Sequence, residues 1–462
     1  MTAADRELPA AAAVAARDLA SRAVGDLAGR RSLLRAGLVV APAMAVANGL
    51  NYAYNLVMAR MLGPSGYGAL GALLALVVIG TVPGYALQAV VARHTALRAF
   101  SPGARRAPSP AAREDDADRA VAELWARTLA TVVGVGVGLG LVTIAAGPWL
   151  SGYLRLGSLA PTLWLAVAVA PLPVLAAVQG MLQGRERFVA LGVVLLAAAA
   201  GKLAAGIGLV RAGGGVSGAL AGAAAGSLLA MLVALACVRP ALSRAKPGRP
   251  RPAGLDRLLP LRIGREVVVA AMAILGLLLL ANVDVLLARH FLDGDGSGLY
   301  AAGAVVAKIA YWAPQFVVTI VFPRLCTTDD RRRLLRRAAA AMAGFGGLLV
   351  AGAAAAPHLA ATLPFGQAYL AVGPALPLFA ALGTCLALVQ LVLFSGIATA
   401  DSRMNRVLLA AVVAEVGLGS VALHGSVLQI VGVALGAAGS VLAIGWLVEH
   451  GRRARALPQQ TP

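Results

Sequence analysis

Charge is the first thing this sequence lacks. Only 13% of its 462 residues are Asp, Glu, Lys or Arg, about half the share of an ordinary soluble domain. With 60% hydrophobic residues and a mean hydropathy of +0.82, the chain has too little polar surface to cover a water-soluble globule. Cysteine is nearly absent as well. Cys237, Cys326 and Cys385 stand alone, with no CxxC spacing, which excludes a disulfide framework or a zinc site. The five histidines, His94, His290, His358, His424 and His450, lie far apart and form neither a metal set nor a triad. No Gly-rich phosphate loop is present. The lone Gly-Lys pair, Gly201–Lys202, sits inside an apolar run, so ATP hydrolysis is not expected. The first 35 residues lack a compact apolar core with a cleavage site and read as a tail, either an interfacial helix or disordered. Alternating ten-residue segments are missing too, which argues against a β-barrel.

What is present is a series of long apolar runs from Ala36 onward. Each can cross a hydrocarbon core of about 30 Å as a helix, and helices satisfy their own backbone in lipid. The expected fold is an all-α polytopic membrane protein with about twelve transmembrane helices, over roughly 37–59, 67–91, 126–146, 162–182, 188–210, 216–237, 266–288, 298–322, 338–356, 371–396, 405–423 and 427–448. Lys and Arg divide unevenly among the connections. Alternate loops and both tails hold 33 of the 40, the opposite set holds only Arg60, Arg155, Arg211 and Arg289, and Arg127, Lys202 and Lys308 fall inside spans. Basic residues favour the cytoplasmic side, so both termini are expected in the cytoplasm. The net charge of +20 then reflects membrane orientation, and no nucleic-acid partner is implied.

Two Pro- and Arg-rich cytoplasmic links stand out, 92–121 and 238–265. The second separates two sets of six spans. The expected division is a tail over 1–35, an N-lobe over 36–237, a basic linker over 238–265, a C-lobe over 266–448 and a tail over 449–462. Outer loops are too short to hold the acidic catalytic groups of a membrane glycosyltransferase, so no enzyme is expected. Asp293 and Asp295 in DGDGSG imitate a metal loop without a third ligand and read as turn residues.

The halves echo one another. NLVMARMLGPSGYGAL (Asn55–Leu70) returns as DVLLARHFLDGDGSGLYAAG (Asp284–Gly303). Asn55 matches Asp284 and Arg60 matches Arg289, both at an offset of 229; Tyr67 matches Tyr300, Pro83 matches Pro314 and Arg93 matches Arg324. Gly180 and Arg187 match Gly396 and Arg403. Six spans per half make this a parallel repeat about an axis along the membrane normal, with a substrate site expected between the lobes.

At these same residues the chain resembles the polysaccharide-type flippases of the multidrug/oligosaccharidyl-lipid/polysaccharide exporter superfamily. NYAYNLVMARMLGPSGYGALGALLAL resembles that group's first-helix signature. NVDVLLARHFL with SGLYAAGAVVAK and VFPRL, and LPFGQAYLAVGPALPLFAALG, resemble later segments. The resemblance spans most of 36–450. The 92–121 loop is longer and more charged than is usual there, and the fourteen-span extension of lipid II flippases is missing. The resemblance implies two six-helix lobes around a V-shaped cavity, as in the multidrug exporters and flippases of the superfamily. It also implies alternating access that carries a polyprenyl (undecaprenyl) pyrophosphate-linked oligosaccharide across a bacterial cytoplasmic membrane. The implied partners are the lipid-linked glycan, membrane lipids, and the glycosyltransferases or polymerase of a polysaccharide pathway; no cofactor is implied. Two other readings remain: a proton- or sodium-coupled exporter of small amphipathic molecules, and a scaffold for envelope-polymer assembly.

Ionisable residues inside a membrane are costly and mark function by default. Lys202, Asp284, Lys308 and Glu415 qualify. Asn48, Asn51, Tyr52 and Asn55 share one face of the first helix at helical spacing, either as a cavity wall or as interhelical glue. Span two adds Tyr85 and Gln88, with Thr81 and Pro83; span eight adds Tyr311 and Gln315 on the Lys308 face, with Trp312 and Pro314. Lys308 is the expected pyrophosphate contact. Asp284 either binds a coupling cation or pairs with Arg289 or Arg60, and Lys202 and Glu415 are candidates for an ion pair between lobes. Arg60 and Arg289 either snorkel to the outer interface or form a matched pair of cations at the outer mouth. Arg93 and Arg324 are their counterparts at the inner mouth.

Overall fold

A computed structural model of the chain describes residues 4–99, 110–244, 271–314, 331–397 and 403–455. Among these residues there are helices and turns and no strand. The first helix, α1 (Ala4–Gly80), is interrupted at Gly63, whose φ of 66° lies in the left-handed region that glycine tolerates. The chain turns back there. Tyr67 donates its hydroxyl to Asn55 Oδ1 at 3.2 Å, although twelve residues of straight helix would separate them by about 18 Å. One continuous helical assignment thus holds the first two expected spans. The interruption at Gly213 and Gly215, both with positive φ, does the same between α7 (Phe188–Leu209) and α8 (Gly215–Arg244). Gly218, Gly222 and Gly226 let these two helices meet: a Cβ on Gly222 would lie 2.4 Å from the Gly206 backbone. Small residues at four-residue spacing are the usual means of close helix approach in lipid.

Between these pairs lie α2 (Val82–Ala99), α3 (Pro110–Ala145), the short α4 (Gly147–Tyr153), α5 (Ala160–Val169) and α6 (Leu172–Gly184). The second half runs α9 (271–280), α10 (Val283–Phe291), α11 (Gly294–Trp312), α12 (Arg331–Ala355), the short α13 (Pro357–Phe365), a 3₁₀ stretch Gln367–Ala375, α14 (Leu376–Ile397), α15 (Arg403–Val421) and α16 (Val427–Arg455). Among the described residues eight segments are long and apolar enough to cross a membrane, and α3 with α4, bent by 54°, adds a ninth. Pro42–Ala92 and Phe188–Pro240 are 51 and 53 residues long, so each folds as two crossings around its glycine break. With α11, these segments follow the order of the expected spans, though the expected spans 266–288 and 298–322 extend partly outside the described residues. The chain is a multi-pass membrane protein of two pseudo-symmetric six-helix lobes.

Several boundaries differ from expectation. The N-terminal stretch is helical from Ala4 and runs unbroken into the first span. The 92–121 stretch, expected as a linker, is helical up to Ala99 and again from Pro110. The matched prolines coincide with helix ends: the chain breaks at Thr81, just before Pro83, and α11 ends at Trp312, just before Pro314. A helix cannot carry proline in its interior without losing a hydrogen bond.

The lobes meet chiefly through α1, which packs on α10, α11 and α13. The approach is backbone to backbone. A Cβ on Gly298 would fall 1.9 Å from the Pro64 carbonyl oxygen, and one on Gly68 would fall 2.2 Å from Ser297 Oγ. Tyr54, Tyr67, Tyr300, Phe379 and Tyr369 are all buried along this seam.

Candidate translocation site

A cavity of about 80 Å³ lies at the seam, lined by Asn282, Asp284, Lys308, Tyr311 and Trp312 of the C-lobe and by Val78 of the N-lobe. It exists because span seven is discontinuous. The helix stops at Ala281–Asn282 and restarts at Val283. Asn282 turns its amide back to the Leu278 carbonyl at 2.8 Å, and its Oδ1 is left without a partner. Broken helices at mid-membrane commonly build transporter ion sites, because they free polar backbone and side-chain groups there.

Asp284 is buried and accepts a 2.8 Å hydrogen bond from the Tyr300 hydroxyl at Oδ2, while Oδ1 has no partner. Glu415, on α15 and also buried, has no partner on either carboxylate oxygen. The two acids lie within electrostatic reach of one another, and Asp284 within reach of Lys308. Four orphaned oxygens from Asn282, Asp284 and Glu415 are therefore gathered in one lobe. An unsatisfied polar atom away from water is costly, and a hard cation prefers oxygen donors of this kind.

The N-lobe offers a different chemistry. Lys202, on α7, places Nζ 4.2 Å from the centre of the Tyr54 ring, a cation–π contact, and the Tyr54 hydroxyl is tied to the Ala219 carbonyl at 2.7 Å. Lys202 and Glu415 do not pair as one of the expectations had it. The helix α7 packs on α8 and α1 in one lobe, whereas α15 packs on α16 and α10 in the other. The group within electrostatic reach of Lys202 is instead Lys308. Lysines of opposite lobes thus lie within electrostatic reach of one another across the seam.

The amide face of the first helix is largely self-satisfied. Asn51 donates to the Ala47 carbonyl at 3.0 Å and Asn55 to the Asn51 carbonyl at 2.8 Å, while Asn48 is exposed. Tyr52 alone of this set reaches the other lobe, donating to the Lys308 carbonyl at 3.3 Å. Tyr85 is exposed and lies within electrostatic reach of Tyr311 across the seam; Gln88 is half-buried beside Gly180. Gln315 and Arg324 lie outside the described residues, as does the Arg93 side chain.

Arg289 does not snorkel. It is buried and donates to the carbonyls of Leu154 (2.8 Å), Arg155 (3.0 Å) and Ser65 (3.4 Å) and to Ser297 Oγ (3.0 Å). Arg60 is exposed and donates to the Leu363 carbonyl. Neither is hydrogen-bonded to Asp284, so the expected Asp284–Arg pairing gives way to the Tyr300 contact. Sequence reasoning missed Asn282, Tyr300 and Tyr54 as site residues. Tyr300 was visible only as the repeat mate of Tyr67, and the Asn-x-Asp spacing around the helix break was the available signal for Asn282.

The fold that carries this site is known. The structure superposes on an inward-facing multidrug resistance MATE family transporter of the MOP superfamily (14% identity, TM-score 0.65, covering 87% of this chain and 96% of that one). It also superposes on the lipid II flippase MurJ in an inward closed conformation (12%, 0.62, 89% and 87%). A third match is a MOP superfamily transporter from Pyrococcus furiosus, described as having a binding pocket of reverse polarity (14%, 0.56, 90% and 95%). Neither a protein-family profile nor a curated protein sequence matches the chain. The chain therefore has the fold shared by MATE transporters and the MurJ flippase.

Proposed function

We propose that the protein is a carrier, not an enzyme, and that it moves a polyprenyl-pyrophosphate-linked oligosaccharide from the inner to the outer leaflet of a bacterial cytoplasmic membrane by alternating access. The observation that carries this reading is that Lys308 lines the seam cavity while Lys202 of the opposite lobe lies within its electrostatic reach. Two cations held in a low-dielectric site match a diphosphate and repel a cationic drug. A substrate bridging both lysines draws the lobes together, which is the differential contact that a population shift requires. Asp284 and Glu415, with the free oxygen of Asn282, serve as the site for a coupling cation in the C-lobe. The two termini lie in the cytoplasm on the positive-inside count, facing the glycosyltransferases that would supply the glycan, with the polymerase on the far side.

A second reading is a cation-coupled exporter of small amphipathic molecules. It is favoured by the unpartnered acid pair and by MATE neighbours described as multidrug resistance transporters. Reconstitution separates the two. A fluorescent lipid-linked oligosaccharide in proteoliposomes should cross to the opposite leaflet faster than in protein-free vesicles. Equal rates, with uptake of cationic dyes instead, would replace the first reading by the second.

A further inference from the structure

The short helices α4 and α13 are repeat mates. Each follows a membrane-crossing helix after a one-residue break, at Ala146 and Ala356, and each carries proline in its first turn. Each is followed within two residues by a positive φ, at Arg155 (49°) and Gly366 (99°), about 210 residues apart. Backbone caps satisfy part of each terminus, Leu154 N–H donating to Leu150 and Gly366 N–H to Thr362, and the remaining carbonyls at or just past a helix end need outside donors. Here the missing donors come from the opposite lobe, and they come from the matched arginines. Arg289 of the C-lobe donates to Leu154 and Arg155 at the end of α4 in the N-lobe. Arg60 of the N-lobe donates to Leu363 at the end of α13 in the C-lobe. A cation at the negative end of a helix gains from the backbone dipole as well as from the hydrogen bonds.

Two further contacts tighten the exchange. The Tyr369 hydroxyl donates to the Ala59 carbonyl at 2.9 Å, at the end of the first span, where Gly63 interrupts the helix. His290 meets the Tyr153 carbonyl through Nδ1 at 2.9 Å, and its ring stacks on Tyr153 at 4.0 Å. All of these contacts lie at the end of the bundle marked by Arg60, Arg155 and Arg289, the end with few basic residues.

We infer that Arg60 and Arg289 form a reciprocal latch that holds the lobes shut at this end, and that opening the transporter there requires each arginine to let go of the other lobe's helix terminus. This rests on the alternating-access reading but concerns the gate, not the cargo. The halves of the latch are unequal. Arg289 is buried with three acceptors in the other lobe and one in its own, whereas Arg60 is exposed with one across the seam, so Arg289 carries most of the closure.

The test reads the gate without any substrate. Ala301, 3% exposed, faces Gly71 across the seam below the latch. Cys237, Cys326 and Cys385 are replaced by alanine, Ala301 by cysteine, and labelling by a membrane-impermeant maleimide is timed in proteoliposomes. Arg289→Gln should speed labelling about tenfold, the scale of losing charged hydrogen bonds. Arg60→Gln should speed it less, and the double variant should exceed either single one. Arg289→Lys, which keeps the charge but not the planar fork, should fall between. Arg211→Gln, an exposed arginine in the turn after α7, should label at the parental rate. Should Arg289→Gln fail to fold, Tyr369→Phe tests the other half of the latch and should also raise the rate. Parental labelling in Arg289→Gln, or in Tyr369→Phe where that variant stands in for it, overturns the latch, as does an equal rise in Arg211→Gln. Faster labelling in a protein that flips no glycan keeps the latch and removes the proposed cargo; glycan flipping with unchanged labelling does the reverse.

Discussion

Tyr300 donates its hydroxyl to Asp284 at 2.8 Å, and this bond repeats, in the C-lobe, the one that Tyr67 makes to Asn55 in the N-lobe. The two halves keep the same tyrosine and the same acceptor position but differ in charge: an amide in one lobe, a carboxylate in the other. The neutral version shows that the bond alone suffices to hold the turn. The acidic version adds a charge that the fold does not need, and a group kept at such cost inside a membrane is a functional candidate.

Replacing Asp284 by asparagine should therefore preserve the fold, since Asn55 already plays that part in the N-lobe, and should uncouple transport from its ion gradient. The expected outcome is an unchanged melting temperature together with loss of the rate increase on imposing a sodium or proton gradient. Glu415→Gln should act in the same direction. A gradient response that survives both substitutions would mean that coupling lies elsewhere.

The lysines give a second expectation. Lys308→Ala and Lys202→Ala should each lower the initial rate of glycan flipping at least about tenfold, because each leaves a phosphate charge without its partner. Lys308→Arg should retain part of the activity. The scaffold reading foresees no flipping by the parental protein above protein-free vesicles and no loss of polymer assembly in Lys308→Ala, so the flipping and assembly assays together decide between the two.

Stability gives a third. Gly383 lies so close to α11 that a Cβ would fall 1.9 Å from the Ala307 carbonyl oxygen. Gly383→Ala must push α14 off α11 and should lower the stability of the detergent-solubilised protein by about 1–3 kcal/mol, as other overpacked cores do. Gly417→Ala, where the added carbon meets nothing within 4 Å, is the control and should leave the melting curve in place.

Orientation gives a fourth. Reporter fusions at the two termini should both be active only in the cytoplasm, and a tag inserted at Gly213 in the turn between α7 and α8 should be reached from outside. A tag at Gly213 that is reachable only from the cytoplasm would invert the topology.

Much of the architecture was legible in the chain because membrane burial forces a one-dimensional pattern. Lipid demands about twenty apolar residues per crossing, so the apolar runs of the chain mark its spans. The repeat was legible too, because Asn55, Arg60 and Tyr67 keep their order at Asp284, Arg289 and Tyr300. The helical linker from Pro110 was not, since its charged residues resemble those of a loop. The short helices α4 and α13 escaped for a related reason: each is too brief to leave a periodic pattern, and only the proline before it marks the bend.

The sequence by itself determined the number of crossings, the twofold repeat and the four ionisable residues placed in the membrane. Only the tertiary structure decided how those residues combine. It set Lys202 within electrostatic reach of Lys308 and Glu415 within reach of Asp284, and it turned Arg60 and Arg289 from interface residues into contacts between lobes. The reason is physical. Hydropathy records how each residue meets lipid and water. Which polar groups meet each other depends on helix packing, here on glycines at 68, 71 and 298 that bring two lobes within backbone distance.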